Sequence, residues 1–354
     1  MKNVGRVISS AVMLFVAALL CAAASQLPQI ILPWYPDLTG KALGVIGAVT
    51  GVLPFPVWQA IVVLLTVWAI VSLIHDIKKV KIVRWLTGVL WGVCFAALLF
   101  VAVWGAGQFL PTKTEQILTV RTPSVARLAN AAAWYGQKAS ALADEVPRNA
   151  EGTVDPGDIP SLAAASDEGF KAIAERYDCI PDEAVKVKPL LLGEAFSYTG
   201  TTGIFVPFTA EACVNPGTYG AALPHTICHE RAHRIGVNQE ADANFIAYLA
   251  CAASSDVRYR YSGEFTAFLH CYNALYEADP QTASAVWQTL SPRVQADLLG
   301  ANAHYKPYEG KVQDAAQTVN DTYLKTFAQE EGVESYGKVS DALTAWYVEM
   351  LAES

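Results

Sequence analysis

The stretch Leu223-Pro224-His225-Thr226-Ile227-Cys228-His229-Glu230-Arg231-Ala232-His233-Arg234-Ile235-Gly236 decides how the rest of the chain is read. It contains H-E-x-x-H, the helical pattern found in zinc peptidases. Residues four apart on an α-helix lie one above the other on the same face. His229 and His233 can therefore each turn an imidazole nitrogen toward one Zn2+. Glu230 directly follows the first ligand, the position from which a carboxylate serves as general base toward water. Pro224 suits a first turn, where its missing N–H costs nothing. Gly236 suits the left-handed residue that ends a helix. With only 6 His in 354 residues, a pair spaced four apart around a Glu is a poor candidate for accident.

Catalytic zinc takes three protein ligands and leaves one position open. Seven residues beyond His233 comes Glu240, within Asn238-Gln239-Glu240-Ala241-Asp242-Ala243-Asn244-Phe245. Asn238 is a good N-cap residue, so Glu240 is expected in the first turn of a second helix, after a reversal at Gly236. Asn244 shares the face of Glu240 and is placed to support the ligand helix or a ligand histidine. Asp242 is the rival third ligand. About 200° of helix rotation separates positions 240 and 242, so both are not expected to reach one ion. Glu240 is preferred, and Asp242 is expected to face solvent or cap a neighbouring group. Cys228 points about 100° away from His229 and is not read as a ligand.

Composition places this motif in a membrane protein. The chain is 53% apolar and 16% charged, too apolar for an ordinary soluble enzyme of this length. Three runs approach the ~20 residues that a span requires: Val7 to Ser25, Val57 to Ile74, and Trp85 to Trp104. Lys2 and Arg6 precede the first run, and Lys78, Lys79, Lys81 and Arg84 lie between the second and third. The connection from Gln26 to Pro56 carries only Lys41. This asymmetry puts the N-terminus on the cytoplasmic side and everything beyond Trp104 on the outer side. Ala22-Ala23-Ala24 also resembles a cleavage site, in which case the first run would be a removed signal peptide.

Charge divides in the same way. Residues 1–111 carry a net +5 and the remainder −13, which argues against nucleic acid as a partner. Five cysteines fall in the outer part: Cys179, Cys213, Cys228, Cys251 and Cys271. The number is odd, so at least one thiol stays unpaired within a monomer. Cys228 and Cys251 sit in apolar helical stretches and read as small core residues.

Thr122 to Val146 and Ser161 to Tyr177 read as helices on either side of a Gly/Pro-rich loop. Val185–Lys188 and Gly203–Phe208 read as strands of a hairpin with a wide loop, the second ending or lying at an edge because of Pro207. An edge strand shortly before the motif helix is suited to pairing with an extended substrate. Glu240 to Ser254, Phe265 to Tyr276, Val286 to Leu299, Gly310 to Phe327 and Tyr336 to Leu351 complete a mainly helical half. Internal repeats, a phosphate loop and a Ser–His–Asp pattern are absent from the sequence.

The blocks Gly203-Ile204-Phe205-Val206-Pro207-Phe208-Thr209-Ala210-Glu211-Ala212, His229 to His233, and Glu240 to Leu249 resemble a bacterial family of membrane proteins catalogued as a domain of unknown function. Tyr261-Ser262-Gly263, Val319 to Lys325 and Gly332 to Gly337 resemble its later blocks. The resemblance covers nearly the whole chain and implies a zinc peptidase without an established substrate. More distantly, Glu240-Ala241-Asp242-Ala243-Asn244 is similar to the glutamate-bearing helix of gluzincin peptidases, which implies Glu240 as the zinc ligand. Metzincins carry a third His where this chain has Gln239. Met1, Met13 and Met350 are not placed for a Met-turn, and that reading is set aside.

The expected architecture is a multi-pass membrane protein with three N-terminal transmembrane helices and a mainly α, α+β zincin-like extracytoplasmic domain. Its parts are a membrane domain (1–111), a helical linker region (112–178) and a metallopeptidase domain (179–354). The expected function is hydrolysis of peptide bonds outside the membrane, with Zn2+ as cofactor. His229, His233 and Glu240 are the metal ligands and Glu230 the catalytic base. The lipid bilayer and a peptide or protein substrate are the expected partners. Tyr261, His304 and Tyr305 are candidate oxyanion donors. A metal-stabilised scaffold or sensor of the envelope belongs to a different class. It is disfavoured by the intact Glu230, since a structural site closes all four positions and needs no base. A zinc amidase acting on cell-wall material would share the same metal chemistry.

Overall fold

The computed structural model describes residues 2–79, 81–119, 124–327 and 336–353. Thr122–Pro123, at the start of one expected helix, and Gly332–Ser335, within one family-like block, lie outside them. Among the described residues the chain is mainly helical and divides into two units.

The first unit comprises Met1–Pro111 together with Val206–Glu211. Its helices are α1 (Lys2–Gln26), α2 (Pro28–Ile31), α3 (Tyr35–Thr50), α4 (Val57–Lys78) and α5 (Ile82–Val103). Asn3–Gln26, Val57–Lys78 and Ile82–Val103 are long and apolar enough to cross a membrane, and they contain the first two runs read from the sequence and all of the third but Trp104. Their outward faces carry bare apolar side chains such as Leu64 and Trp68, the surface that lipid satisfies and water does not. α1 and α4 pack on α5. The tight connection after α4 is closed by Arg84, whose guanidinium holds Asp76 at 2.5 Å. At the other end of α4, the Glu211 carboxylate accepts from Val57 N at 2.8 Å and Trp58 N at 2.9 Å. A carboxylate there satisfies free amides and complements the helix dipole.

The second unit comprises Thr112–Phe205 and Ala212–Ser354. It begins with α6 (Lys113–Ile117), α7 (Val125–Leu142) and α8 (Ile159–Arg176), followed by β1 (Val187–Pro189), α9 (Gly193–Ser197), β2 (Gly203–Val206) and β3 (Glu211–Val214). Then come α10 (Leu223–Arg234), α11 (Glu240–Ala253), α12 (Val257–Ala278), α13 (Pro280–Trp287), α14 (Pro292–Tyr305), α15 (Lys311–Thr326) and α16 (Tyr336–Glu353). The core is a helical layer in which α11 packs between α8, α10 and α12, while α7 and α16 cover α12.

The strands depart from the expected hairpin. β1 does not pair with β2; it runs parallel to β3, with Lys188 opposite Cys213, and the sheet order is β1-β3-β2. β3 went unread because Glu211-Ala212-Cys213-Val214 shows no alternation: all four residues are buried, so both faces are covered and the period-2 signal vanishes. β2 stops at Val206, before Pro207, and lies at an edge of the sheet.

Two helices differ in extent from their sequence reading. The expected Val286–Leu299 segment is broken, because Pro292 starts a new helix whose N-cap Ser291 accepts from Val294 N. α12 begins two turns earlier than expected, capped by Asp256 on Arg258 N. Gly263 lies in the added turns. It sits inside α12 because a Cβ there would come within 2.7 Å of the Cys251 Cβ, so it allows α11 and α12 to approach closely.

Candidate metal centre

α10 carries the motif, and its rear face is fixed by arginine. Arg231 is 1% exposed; its Nη1 donates to Ser166 Oγ at 3.0 Å and to the Asp167 carboxylate, and its Nη2 donates to Glu183 O at 2.8 Å. Arg234 adds an ion pair to Glu183 at 2.8 Å. Positions 231 and 229 are about 200° apart on the helix, so this clamp leaves the histidine face clear. These partners went unread, since nothing in the spacing of Ser166, Asp167 and Glu183 points to α10.

The helix ends in a complete Schellman motif. Gly236 has φ 92°, its N–H donates to His233 O at 2.9 Å, and Val237 N donates to Ala232 O at 3.0 Å. This reversal starts the descent to α11. Gln239, rather than Asn238, holds the N-cap position there, with no side-chain cap bond. Asn244 donates to Glu240 O at 2.9 Å, tying back within its own helix rather than to a histidine.

Three side chains converge as a result. His229 Nε2 lies 3.1 Å from His233 Nε2, 3.2 Å from one Glu240 carboxylate oxygen, and the other oxygen is 3.4 Å from His233 Nε2. Tetrahedral zinc with bonds of ~2.0–2.1 Å has ligand–ligand edges of about 3.3–3.4 Å. Two imidazole nitrogens and a carboxylate therefore stand at the spacing, and with the chemistry, that such an ion takes. His229, His233 and Glu240 form a group of potential metal ligands among the described residues.

Local electrostatics follow from this closeness. Burial works against charge on His233, but the Glu240 carboxylate outweighs it and raises the imidazole pKa to about 9. Burial also acts against the Glu240 charge, and the two histidines reverse that, holding its carboxyl well below the ordinary range. A site that concentrates negative charge beside two ring nitrogens favours a cation. His225, one turn before His229, is buried and its pKa is lowered to about 3, first by burial and then by His229 and His270; its ring stays neutral.

Glu230 is 4% exposed, with Oε2 buried and without a hydrogen-bond partner. Burial, only partly offset by His229 and His233, raises its pKa to about 7. Gly203, the first residue of β2, lies directly against it. A Cβ at 203 would sit 2.3 Å from Glu230 Oε1 and 2.7 Å from Cδ. This dependence on a glycine went unread, because Gly203 in sequence looks like an ordinary strand start.

The remaining candidates lie elsewhere. Asp242 is buried and caps α6, accepting from Lys113 N at 2.8 Å and Thr114 N at 2.7 Å. It caps a neighbouring helix, as one of its two expected roles had it, but does not face solvent. Tyr261 is buried and donates to Asp297. His304 Nε2 meets Gly217 O at 2.7 Å, and Tyr305 Oη accepts from Tyr219 N at 3.0 Å. All three are engaged in bonds that hold the fold, and none belongs to the cluster. Cys228 and Cys251 are buried free thiols.

The model of a family described as protein of unknown function DUF3810 matches residues 41–344. The chain belongs to the DUF3810 family. The match runs from within α3 to within α16, so most of both units, and the whole His229–His233–Glu240 cluster, fall inside the DUF3810 region. No curated protein and no solved structure matches the chain.

Proposed function

We propose that this DUF3810 protein is a membrane-anchored zinc-dependent metallopeptidase, with His229, His233 and Glu240 holding the metal and Glu230 as general base. The observation that carries the reading is the convergence of three donors at 3.1–3.4 Å beside a buried carboxylate that has an orphaned oxygen. A structural site has no use for such a carboxylate. A divalent cation such as zinc, bound by these donors, supplies Lewis acidity that polarises a scissile carbonyl and acidifies water.

The protein residues supply the rest. Glu230, with its pKa raised to about 7, is matched to taking a proton from the attacking water and handing it to the leaving amine near neutral pH. The Val237 carbonyl fixes the His233 ring. Gly203 lets the edge strand β2 lie beside the base, where an extended peptide can pair with it by strand addition. The Lys/Arg asymmetry around the three spans supports an outer-side location for this activity.

Glu230→Gln tests the reading. The variant should keep about one zinc per chain and lose cleavage of envelope polypeptides by at least about 100-fold, the scale expected for a general base. Identical cleavage products from both proteins would refute the peptidase. Loss of zinc in this variant would show that Glu230 is structural.

A further inference from the structure

The helix α3 is not a soluble connection between two spans. It is 16 residues long, about 24 Å at 1.5 Å per residue, too short to cross a hydrocarbon core of ~30 Å. Yet its outward face is apolar: Leu38 is 58%, Val45 69% and Val49 69% exposed. These three positions fall within about 40° of one another around a helix of 3.6 residues per turn. Val52, 77% exposed, continues the stripe past the helix end. The opposite side is occupied by protein at Leu43, about 140° around the helix from Leu38, which is buried. The charges of α3, Asp37 and Lys41, form an ion pair at 2.7 Å, and no Asp, Glu, Lys or Arg follows until Asp76.

Both ends of α3 are tied to the same level. At its start, Tyr35 Oη donates to Val101 O at 3.3 Å, in the last turn of α5. At its end, Thr50 Oγ1 donates to Thr209 O at 2.9 Å, two residues from the Glu211 carboxylate that holds Val57 N, the first residue of α4, at 2.8 Å. α4 and α5 are consecutive spans joined by a short turn, so the start of one and the end of the other lie at the same membrane face. A re-entrant helix would carry one of its ends toward the bilayer centre; this one keeps both at the boundary.

We propose that α3 is an in-plane interfacial helix whose Leu38–Val45–Val49 face is seated among the acyl chains just below the lipid headgroups. The occupant is lipid because the stripe is continuous in sequence and character with the bare apolar surface of α4, which the bilayer must cover. Burying three to four aliphatic side chains there replaces exposure to water that would otherwise be costly.

The test uses the full-length chain in phosphatidylcholine vesicles, with Cys21 and Cys179 changed to Ser. An environment-sensitive NBD dye is attached at Val49→Cys and, in a second protein, at Val45→Cys. A quencher at carbon 5 of the lipid acyl chain should reduce emission about twice as strongly as one at carbon 12, while aqueous iodide has little effect. Dominant quenching by iodide would overturn the proposal. So would deeper quenching exceeding shallow, which marks a re-entrant helix, or quenching by neither, which marks a face covered by protein. Agreement between the two positions guards against a local disturbance by either substitution.

Discussion

The backbone carbonyl of Val237 lies 2.7 Å from Nδ1 of His233. A carbonyl can only accept, so Nδ1 carries a proton, and Nε2 is the nitrogen that would give up its own and turn its lone pair to a metal. The carbonyl reaches this place through the Schellman turn at Gly236, whose φ is 92°. A single backbone device thus ends the helix, reverses the chain toward Glu240 and fixes which nitrogen of His233, a proposed ligand, faces the cluster. Gly236→Ala should cost about 1–2 kcal/mol, the penalty for a Cβ in the left-handed region. It should also weaken zinc by about 10–100-fold, as changes to the partners of metal ligands do. Calorimetric titration of zinc into the variant checks this; unchanged affinity would mean that the turn does not tune the ligand.

Gly203 and Glu230 make a second dependence of this kind. A methyl group at 203 would overlap the Glu230 carboxylate, at 2.3 Å from Oε1, so Gly203→Ala must displace the carboxylate or the strand. The proposed metal donors, His229, His233 and Glu240, lie on other residues and should be undisturbed. The expected outcome is a fall in kcat of about 10–100-fold, within the range ascribed to a misplaced base, with zinc content unchanged. A fall in zinc content instead would mean that the strand supports the whole cluster.

The candidate site was legible where local periodicity carried it. His229 and His233 share a face because the helix repeat demands it, and Glu240 follows from a glycine turn and a helix start. The three spans were legible for a similar reason, since bilayer thickness fixes their length. What stayed hidden was long-range or aperiodic. The β1–β3 pairing joins residues 25 apart in sequence, and β3 is covered on both faces and so shows no alternation. The hold of Arg231 on Ser166 spans 65 positions. α3 was read as a loop because its Gly residues obscured its helical pattern and its apolar stripe faces outward.

Glu264 offers a pH-dependent test away from the proposed metal site. It is 3% exposed, pairs with Lys138 at 2.5 Å, and leaves Oε2 buried without a partner. Burial raises its pKa from 4.5 to about 7, against the pull of Lys138. The folded state therefore binds the proton more tightly than the unfolded state. Between pH 4.5 and 7 the folded chain holds more protons, so stability falls as pH rises through that window and is flat above it. Glu264→Gln removes this penalty. It should raise the thermal midpoint of the full-length protein in detergent at pH 8 and change it little at pH 4.5. The gain should be on the order of 3 to 4 kcal/mol, at ~1.4 kcal/mol per pH unit. A larger gain at the acidic end would show that the buried carboxylate is ionised and stabilising.

Glu240 and Asp242 stand two residues apart on α11 and do opposite jobs. Glu240 opens the helix and meets both histidines, at 3.2 and 3.4 Å. Asp242, rotated by about 200°, accepts from Lys113 N at 2.8 Å and from Thr114 N at 2.7 Å, and so closes the start of α6. Glu240→Ala should therefore abolish zinc binding, and in chelator it should also cost some stability, because it removes a carboxylate from the positive end of α11 and from its pairing with the two histidines. Asp242→Ala should keep zinc and cost about 1–2 kcal/mol, as loss of an N-terminal cap does, more than an exposed acid would. Asn244→Ala, which removes only the bond to Glu240 O, should weaken zinc less than Glu240→Ala. Zinc titration paired with thermal denaturation in EDTA resolves all three. The decisive comparison is metal content: Glu240→Ala should lose zinc, while Asp242→Ala loses stability yet keeps its zinc. Should Asp242→Ala release zinc with Glu240→Ala retaining it, the third ligand would be Asp242, and the convergence on Glu240 would be an ion pair alone.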